Sequence, residues 1–472
     1  MMAKKNIGSA LSLRFSQSIS AFVQSNSSIQ SDQVFAIAYS GGLDSSVLLS
    51  LATSYCLEHN IPLFAFHIHH GLSPNASGWM QHCRDTCSKY GVSFDGKEIL
   101  VNNDDGAGIE ASARSGRYHA LGELSKKHNI KLLLTAHHQD DQAETILLQM
   151  LRGAGVAGLA GMNACHHAPK LFGDDKLLLG RPLLSVSRQE LELFAAEHAL
   201  SYVQDESNAD HRYFRNALRQ RVMPILGELS PGYAERIARA AIHIQSANDL
   251  LNEVSEQDWS ECIEGNALNV SAVEQLSEMR RNNLLRLLLK KTGCRMPSTA
   301  RLKEIVHQLL TARQDARVTV FHEHVAIHRY KERIYVADAH VEREEEKNPI
   351  SFQWQGQPFI AFSEYHGSLY FDEGDSGIDA TWLKQVSLLL HLRRGGERLK
   401  LGVNRSTRDM KSHYQTLQIP FWLRQQLPFV SVNNEVLFAA GVGMQSKFCH
   451  EPGTSLIRLR WVSDNKDVLP ER

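Results

Sequence analysis

Ser40-Gly41-Gly42-Leu43-Asp44-Ser45-Ser46 concentrates hydroxyls, two glycines and a carboxylate in seven positions. An apolar run, Val34-Phe35-Ala36-Ile37-Ala38, leads into it and Val47-Leu48-Leu49 leads out. That order predicts a buried strand, a tight turn and a helix start. Adjacent glycines let the backbone close on a ligand. Successive N–H groups in such a turn form an anion-binding nest, and the helix dipole adds to it. The residue types therefore suit phosphate, although the Gly-Lys-Ser/Thr ending of a Walker loop is missing. The plainer alternative is a strand–helix turn with N-cap serines.

A second constellation is His137-His138-Gln139-Asp140-Asp141-Gln142-Ala143-Glu144-Thr145, after the apolar Leu132-Leu133-Leu134. Asp141 and Glu144 are three apart and share a helix face. Two carboxylates at a strand end suit a metal ion or a cationic substrate. Asp140 alone fits an acid placed to complement the helix dipole. A third group is Glu110, Arg114 and Arg117 on one helical stripe. Arginines there suit ATP phosphates, but spacing alone equally describes an exposed Glu–Arg pair. His67, His69 and His70 alternate off a strand end, and no cysteine or carboxylate follows at ligand spacing, so structural zinc is not expected there. Asp205-Glu206-Ser207-Asn208, followed by Arg215-Asn216-Ala217-Leu218-Arg219, reads equally as a capped turn and a basic helix.

The elements that must position these groups alternate in type. Apolar strand-like runs fall at 33–39, 61–68, 92–99 and 131–136, and helix-like stretches at 44–57, 77–90, 109–128 and 138–151. Repeated β-α units predict a parallel sheet covered on both faces, with ligands bound beyond the carboxyl ends of the strands. Ser40–Ser45, His67–Gly71 and His137–Asp141 all sit at such ends. The glycine-rich stretch 153–161 is read as a mobile loop or a close-packing turn. Helical periodicity resumes at 187–199 and from about 214 to 253, broken near Pro224 and Pro231. Residues 254–341 form a second unit, with helices at 271–292 and 298–313 and a hairpin from 317–328 and 332–338. The charged run at 342–347 is read as a linker. A third unit, 350–472, has strands at 386–393, 428–432, 435–444 and 455–462.

The 472 residues suffice for two to four domains, and 43% hydrophobic content is ordinary for a globular chain. No apolar run is long enough to span a bilayer, and serines break any signal-peptide core near the start, so a cytoplasmic protein without membrane contact is expected. Seven scattered cysteines suggest no disulfide framework; Cys83 and Cys87 share a helix face as a thiol pair. A net charge of −1 does not advertise nucleic acid. Two local clusters do: Arg212, Arg215, Arg219 and Arg221, and the basic stretch 391–424 with Arg393, Arg394 and Arg398. Either is also readable as a solvated face.

Ser-Gly-Gly-x-Asp-Ser resembles the PP-loop of the ATP pyrophosphatases, which split ATP into AMP and pyrophosphate. The wider set is more specific. Ser40–Ser45, His69-His70-Gly71-Leu72, Glu110–Tyr118, His137–Thr145, Arg181-Pro182-Leu183-Leu184, Asp205-x-Ser207-Asn208 and Arg215-Asn216 occur in the order of the tRNA(Ile)-lysidine synthase family. The similarity resumes at Arg393–Arg398 and runs through Ile419–Arg424 to Gly441, like the C-terminal domain of the long bacterial form; Val403–Ser406 stands where a further glycine is expected.

This resemblance implies an α/β, parallel-sheet PP-loop (adenine nucleotide alpha hydrolase-like) domain over 1–222 and a connecting helix over 223–253. A mostly helical tRNA-binding domain over 254–341 and a small α+β tRNA-binding domain over 350–472 complete it. It implies that ATP adenylates carbon 2 of the wobble cytidine of tRNA(Ile) with a CAU anticodon, and that free L-lysine then displaces AMP to give lysidine. By motif position, Ser40, Gly41, Gly42, Leu43, Asp44 and Ser45 bind ATP, and Asp44 holds Mg²⁺. Asp44, Arg117 and His137 serve catalysis, and Asp141 and Glu144 recognise lysine. Beside the resemblance, Arg212, Arg215, Arg219, Arg393, Arg394 and Arg398 are the candidate tRNA contacts, with Tyr414 and Trp422 as candidate stacking groups, although Trp422 and Leu423 are also readable as core; a homodimer is the assembly to test. The rivals are another PP-loop enzyme, either a tRNA thiolase or an amide-forming ligase, and a non-enzymatic nucleotide-sensing RNA-binding module. Cytidine thiolases carry Cys-x-x-Cys hooks, which are absent here.

Overall fold

The structure is a computed structural model describing residues 7–26, 29, 33–69, 76–99, 109–203, 214–313, 318–339, 347–449 and 455–464. His70–Leu72, Asp205–Asn208, Arg212 and most of the charged run at 342–347 lie outside them. The chain forms two compact units, Met1–Leu250 and Leu251–Arg472. Among the described residues no helix is long and apolar enough to cross a membrane.

In the first unit, helix α1 (Ile7–Gln24) precedes strand β1 (Phe35–Ala38), α2 (Leu43–Glu58), β2 (Leu63–His69), α3 (Ala76–Tyr90) and β3 (Ser93–Glu98). Then come α4 (Ile109–Lys127), β4 (Leu132–Leu134), α5 (Gln139–Leu151), β5 (Cys165–His167) and β6 (Leu178–Gly180). The sheet order is β3-β2-β1-β4-β6-β5. Strands β1, β2, β3, β4 and β6 are parallel as expected, but β5 runs antiparallel to β6, so the sheet is mixed at one edge. The order reverses between β1 and β4, which are paired neighbours (Ile37 opposite Leu134). A crevice opens at such a switch point, and both chemical motifs emerge there.

Helix α1 has no counterpart in the sequence reading. Its Leu11, Phe15, Ile19 and Phe22 follow helical spacing and are buried against the sheet core, while serines fill the other face. The glycine-rich stretch is a close-packing turn. Gln142 donates to Met162 O (3.1 Å) and accepts from Met162 N (2.7 Å), and a Cβ on Gly161 (φ 68°) would lie 2.8 Å from that amide.

The second unit begins within the long helix Tyr233–Cys262. The helices Glu278–Lys291 and Thr299–Thr311 bury Leu284, Leu288, Leu302 and Ile305 in one core with Ile327. Ser277 and Ser298 cap their first turns. This middle region is mostly helical, as expected, and its helices pack beside a small sheet. Strands β7 (Ile263–Glu264), β8 (Ala267–Asn269), β9 (Val318–His322), β10 (Val325–Tyr330) and β11 (Arg333–Asp338) make a five-stranded antiparallel sheet. The alternation over 317–328 is two strands split at Glu323-His324, not one. Beyond residue 350 the chain forms a five-stranded and a four-stranded antiparallel sheet with short helices.

Tyr414 and Trp422 are buried in this unit's core, which corrects their assignment as base-stacking groups. Trp422 instead stacks on His328 with ring centroids 3.9 Å apart. His328 is fully buried, its Nδ1 is 3.0 Å from Thr319 Oγ1, and burial pushes its pKa from 6.5 down to about 4. The unfolded chain therefore takes up the proton first. The stabilisation is complete above pH 6.5 and is lost as pH falls toward 4, on the order of 3 kcal/mol in all. Denaturation midpoints followed by tryptophan fluorescence should fall across that window, and less so in His328→Gln. Equal slopes for both proteins would remove His328 as the cause.

Candidate active site

The turn after β1 is built by two glycines. Gly41 takes φ 83°, and a Cβ there would lie 2.9 Å from Cys83 Sγ and 3.2 Å from Val203 Cγ2. Only glycine fits that close, left-handed position. Cys83 and Cys87 are both fully buried on α3, and burial pushes both thiols up to about 12; Cys83 is packing for the turn. Gly41 O accepts from Val203 N at 2.9 Å. No side chain caps α2. Ser45 Oγ donates to Gly42 O (3.0 Å) and lies 3.0 Å from Ser40 Oγ. Hydroxyls and free backbone N–H groups thus converge at the α2 N-terminus, the arrangement that holds phosphate.

Asp44 stands in the first turn of α2. Burial raises its pKa, opposed by His138 and Arg188. Arg188 Nη1 donates to both Asp44 carboxylate oxygens at 2.7 Å. Sequence reasoning missed Arg188. It opens the helix Arg188–Glu197 behind the Ser187–Glu190 capping box, and its backbone N donates to Asp140 Oδ2 at 2.8 Å. Asp140 therefore ties two helix starts together, the structural role expected of it.

Across the crevice, α5 presents Asp141 and Glu144 on one face. Asp141 Oδ2 accepts from His138 N at 3.1 Å. Glu144 is buried and meets two guanidinium groups. Arg215 Nε donates to Glu144 Oε2 (3.0 Å) and its Nη2 to Asp141 Oδ1 (3.3 Å). Arg219 Nη2 donates to Asp141 Oδ1 (2.9 Å) and Glu144 Oε2 (3.0 Å), and its Nε pairs with Glu144 Oε1. Burial would push Asp141 up, but His138, His137, Arg215 and Arg219 hold its pKa below the usual carboxylate range. Arg219 is raised despite burial, through its bond to Glu144 and the charges of Glu144 and Asp141. The two acids thus already balance two organic cations. These two arginines face acids, where the sequence reading had assigned them to tRNA.

His138 is buried, yet Asp140, Asp141 and Asp44 outweigh desolvation and raise its pKa. His137, 2.9 Å from Thr135 Oγ1 through Nδ1, is pushed the other way, to about 3, chiefly by burial and also by Arg181 and Arg114. It is neutral throughout the physiological range. Arg181 belongs to a motif the sequence singled out, but no role was attached to it. It is buried, donates from Nη1 to Asn163 O at 2.6 Å, and its Nε has no hydrogen-bond partner among the described residues. Arg117 lies on the exposed side of α4; His67 is lowered chiefly by its burial, with His69 and Arg117 adding to the shift. The Glu110 side chain and Arg212 lie outside the described residues.

In the second unit, Arg393, Arg394 and Arg398 are exposed. Arg394 and Arg398 line a cavity of about 420 Å³ with Lys447 and Asn434. Its floor turn, Gly395-Gly396, takes φ 94° and 83°, and Gly395 N donates to Glu397 Oε1 at 2.9 Å.

Family models match the chain over three segments: a PP-loop domain at 11–226, a TilS substrate binding domain at 268–335, and a TilS substrate C-terminal domain at 388–461. The chain is 36% identical over 428 residues to the tRNA(Ile)-lysidine synthase of Alkalilimnicola ehrlichii, covering 90% of this chain and 93% of that one. It is 37% identical over 421 residues to the tRNA(Ile)-lysidine synthase of Ralstonia nicotianae, covering 86% and 88%. Among solved structures, the U34-tRNA thiolase NcsA from Methanococcus maripaludis aligns at 17% identity with a TM-score of 0.41, over 52% of this chain and 80% of that one.

Proposed function

The chain belongs to the tRNA(Ile)-lysidine synthase family, and from that premise we propose how its residues divide the work. It is an ATP-using PP-loop ligase that forms lysidine on tRNA(Ile). In our reading, ATP phosphates lie in the nest of Ser40, Gly41, Gly42, Leu43 and Ser45. Asp44 fits Mg²⁺: its hard oxygens already face a positive charge, that of Arg188. Mg²⁺ bound there supplies charge neutralisation for the leaving pyrophosphate. Arg117 holds the α-phosphate. The oxygen on carbon 2 of the wobble cytidine attacks the α-phosphorus, and pyrophosphate departs. An amine of free lysine then attacks carbon 2 and AMP departs. His137, uncharged and oriented by Thr135, sits beside the adenylate without adding a competing positive charge.

The observation that carries this reading is the Asp141–Glu144 pair at the switch point next to the phosphate turn. Nucleotide binding alone has no use for two paired acids there, whereas a substrate bearing ammonium groups does. Lysine must exchange with, or settle beside, the guanidinium groups of Arg215 and Arg219. The test is mass analysis of tRNA(Ile) after incubation with ATP, Mg²⁺ and lysine. The expected product carries the mass of lysine less water. Unmodified tRNA in the presence of ATP consumption would oppose the lysine assignment.

Residues 1–222 are proposed as the catalytic domain, with tRNA held by 254–341 and 350–472. Arg393, Arg394 and Arg398, all exposed and the last two lining the 420 Å³ cavity, suit phosphate contacts that position RNA. Replacing all three with alanine should weaken tRNA binding and lower the log–log salt slope by roughly 2 to 3, about one per lost phosphate contact. ATP and lysine binding to the free enzyme should be unchanged. Normal tRNA binding across a salt titration would move the grip elsewhere.

A further inference from the structure

Far along the chain from the phosphate turn, three side chains of different ligand chemistry meet in the second unit. Cys294 follows the helix Glu278–Lys291 through Thr292 and Gly293, and its backbone N donates to Leu289 O at 3.0 Å. Glu323 and His324 form the two-residue turn between β9 and β10, where Val325 pairs with His322. One thiol, one carboxylate and one imidazole atom all lie within 4.8 Å of one another. We propose that Cys294, Glu323 and His324 form a Zn²⁺ site that ties the end of this helix to the β9–β10 turn.

The surroundings suit a metal. His324 Nε2–H donates to Thr292 O at 3.1 Å. That bond fixes the tautomer and leaves Nδ1 with its lone pair, the outer-shell arrangement of metal-bound histidines. Cys294 Sγ lies 3.9 Å from both Nδ1 and Nε2. A zinc about 2.3 Å from sulfur and about 2.0 Å from nitrogen separates the two by roughly 3.5 Å at the tetrahedral angle, so binding requires the imidazole to turn and aim Nδ1 at the ion as the sulfur closes in. Thr292 Oγ1 lies 3.5 Å from the sulfur and donates to Leu289 O at 2.9 Å. Glu323 Oε2 accepts from Arg295 N at 2.8 Å, which fixes the carboxylate.

Glu323 takes φ 50°, a left-handed conformation that costs a residue with a Cβ of order 1 kcal/mol. Glycine or asparagine is the usual solution in such a turn. A thiolate and a carboxylate together neutralise a divalent cation. Sulfur and imidazole donors select zinc over magnesium, and three protein ligands leave a fourth position for water. The plainer alternative is a carboxylate that merely caps Arg295 N beside a packing cysteine.

Cobalt separates the two. The full-length protein, purified without a polyhistidine tag and stripped with a chelator, is titrated with Co²⁺. One equivalent should produce a thiolate-to-cobalt charge-transfer band, displaced by Zn²⁺. Cys294→Ser should abolish the band, and Cys449→Ser should keep it. Because Cys294 is buried and a serine there risks misfolding, variants at the exposed Glu323 and the half-buried His324, Glu323→Gln and His324→Asn, are titrated too. Each should weaken Co²⁺ affinity about 10-fold or more with the fold intact by circular dichroism. A wild-type protein without the charge-transfer band, or a band unchanged in Glu323→Gln and His324→Asn, overturns the site. Metal bound only at the active-site carboxylates lacks the thiolate band, and that result also counts against it.

Discussion

Asp44→Asn should reduce tRNA-dependent formation of AMP and pyrophosphate by about 10³-fold, equivalent to roughly 4 kcal/mol of transition-state stabilisation. Asp44 stands at the N-terminus of α2 beside the phosphate nest, and both its oxygens are already turned to a cationic partner, Arg188. Negative charge grows on pyrophosphate as its bond to the α-phosphorus breaks, and a cation held by Asp44 must meet it. Asparagine keeps the shape and one acceptor but loses the charge. The fold should survive, because burial raises the Asp44 pKa and removing the charge relieves that desolvation as it weakens the Arg188 pair. The same raised pKa predicts that wild-type activity begins to fall at a higher pH than an ordinary aspartate would impose, since the carboxylate must be ionised to hold a cation. The measurement is ATP–pyrophosphate exchange with tRNA across a Mg²⁺ titration, beside thermal unfolding. Near-normal turnover with an unchanged Mg²⁺ dependence would sink the assignment of Asp44.

The convergence of Ser40–Ser45 with His137–Glu144 was legible in the sequence because both lie at the ends of apolar runs in a β-α alternation. The sheet then places β1 beside β4. Asp141 and Glu144 were legible as a pair because helical spacing alone puts them on one face. Their arginine partners were not. Arg215 and Arg219 lie more than seventy positions from Glu144, and a basic run has no spacing signal that tells an internal ion pair from a phosphate-facing surface. Arg188 was hidden for a similar reason: within Ser187–Glu190 it reads as the first residue of a capped helix. A signal was present in Arg181-Pro182-Leu183-Leu184, whose arginine precedes apolar residues and so had reason to be buried. Strands β5 and β6 have three residues each, too few for periodicity to register. Trp422 misled because an aromatic in an arginine-rich stretch suits base stacking; its burial depends on His328 and Tyr330, about ninety residues earlier.

Glu144→Gln should raise the apparent KM for lysine strongly, by roughly 10³-fold or more, and affect adenylation far less. Glu144 is 1% exposed, so its charge acts in a medium where an unpaired ammonium group is costly. Sites built on such polar pairing discriminate by roughly 10⁴ when one partner is missing. The variant also changes the resident cations. Arg215 and Arg219 each bond to Glu144 as well as to Asp141, so glutamine leaves both arginines leaning on one acid. That weakens their hold and could ease lysine entry, but the loss of the substrate's own counter-charge is larger, because the arginines are part-exposed and can turn to water whereas a lysine ammonium on Glu144 cannot. The two half-reactions decide the matter. Adenylate formation is followed by AMP-labelled tRNA in the absence of lysine, and lysine transfer by the rate at which that adenylate is consumed as lysine is raised. A lysine-specific defect, overcome at high lysine, supports the acid pair as the amino-acid pocket. Equal losses in both half-reactions would place Glu144 in the ATP chemistry instead, and an unchanged lysine dependence would leave the pair a structural anchor for Arg215 and Arg219.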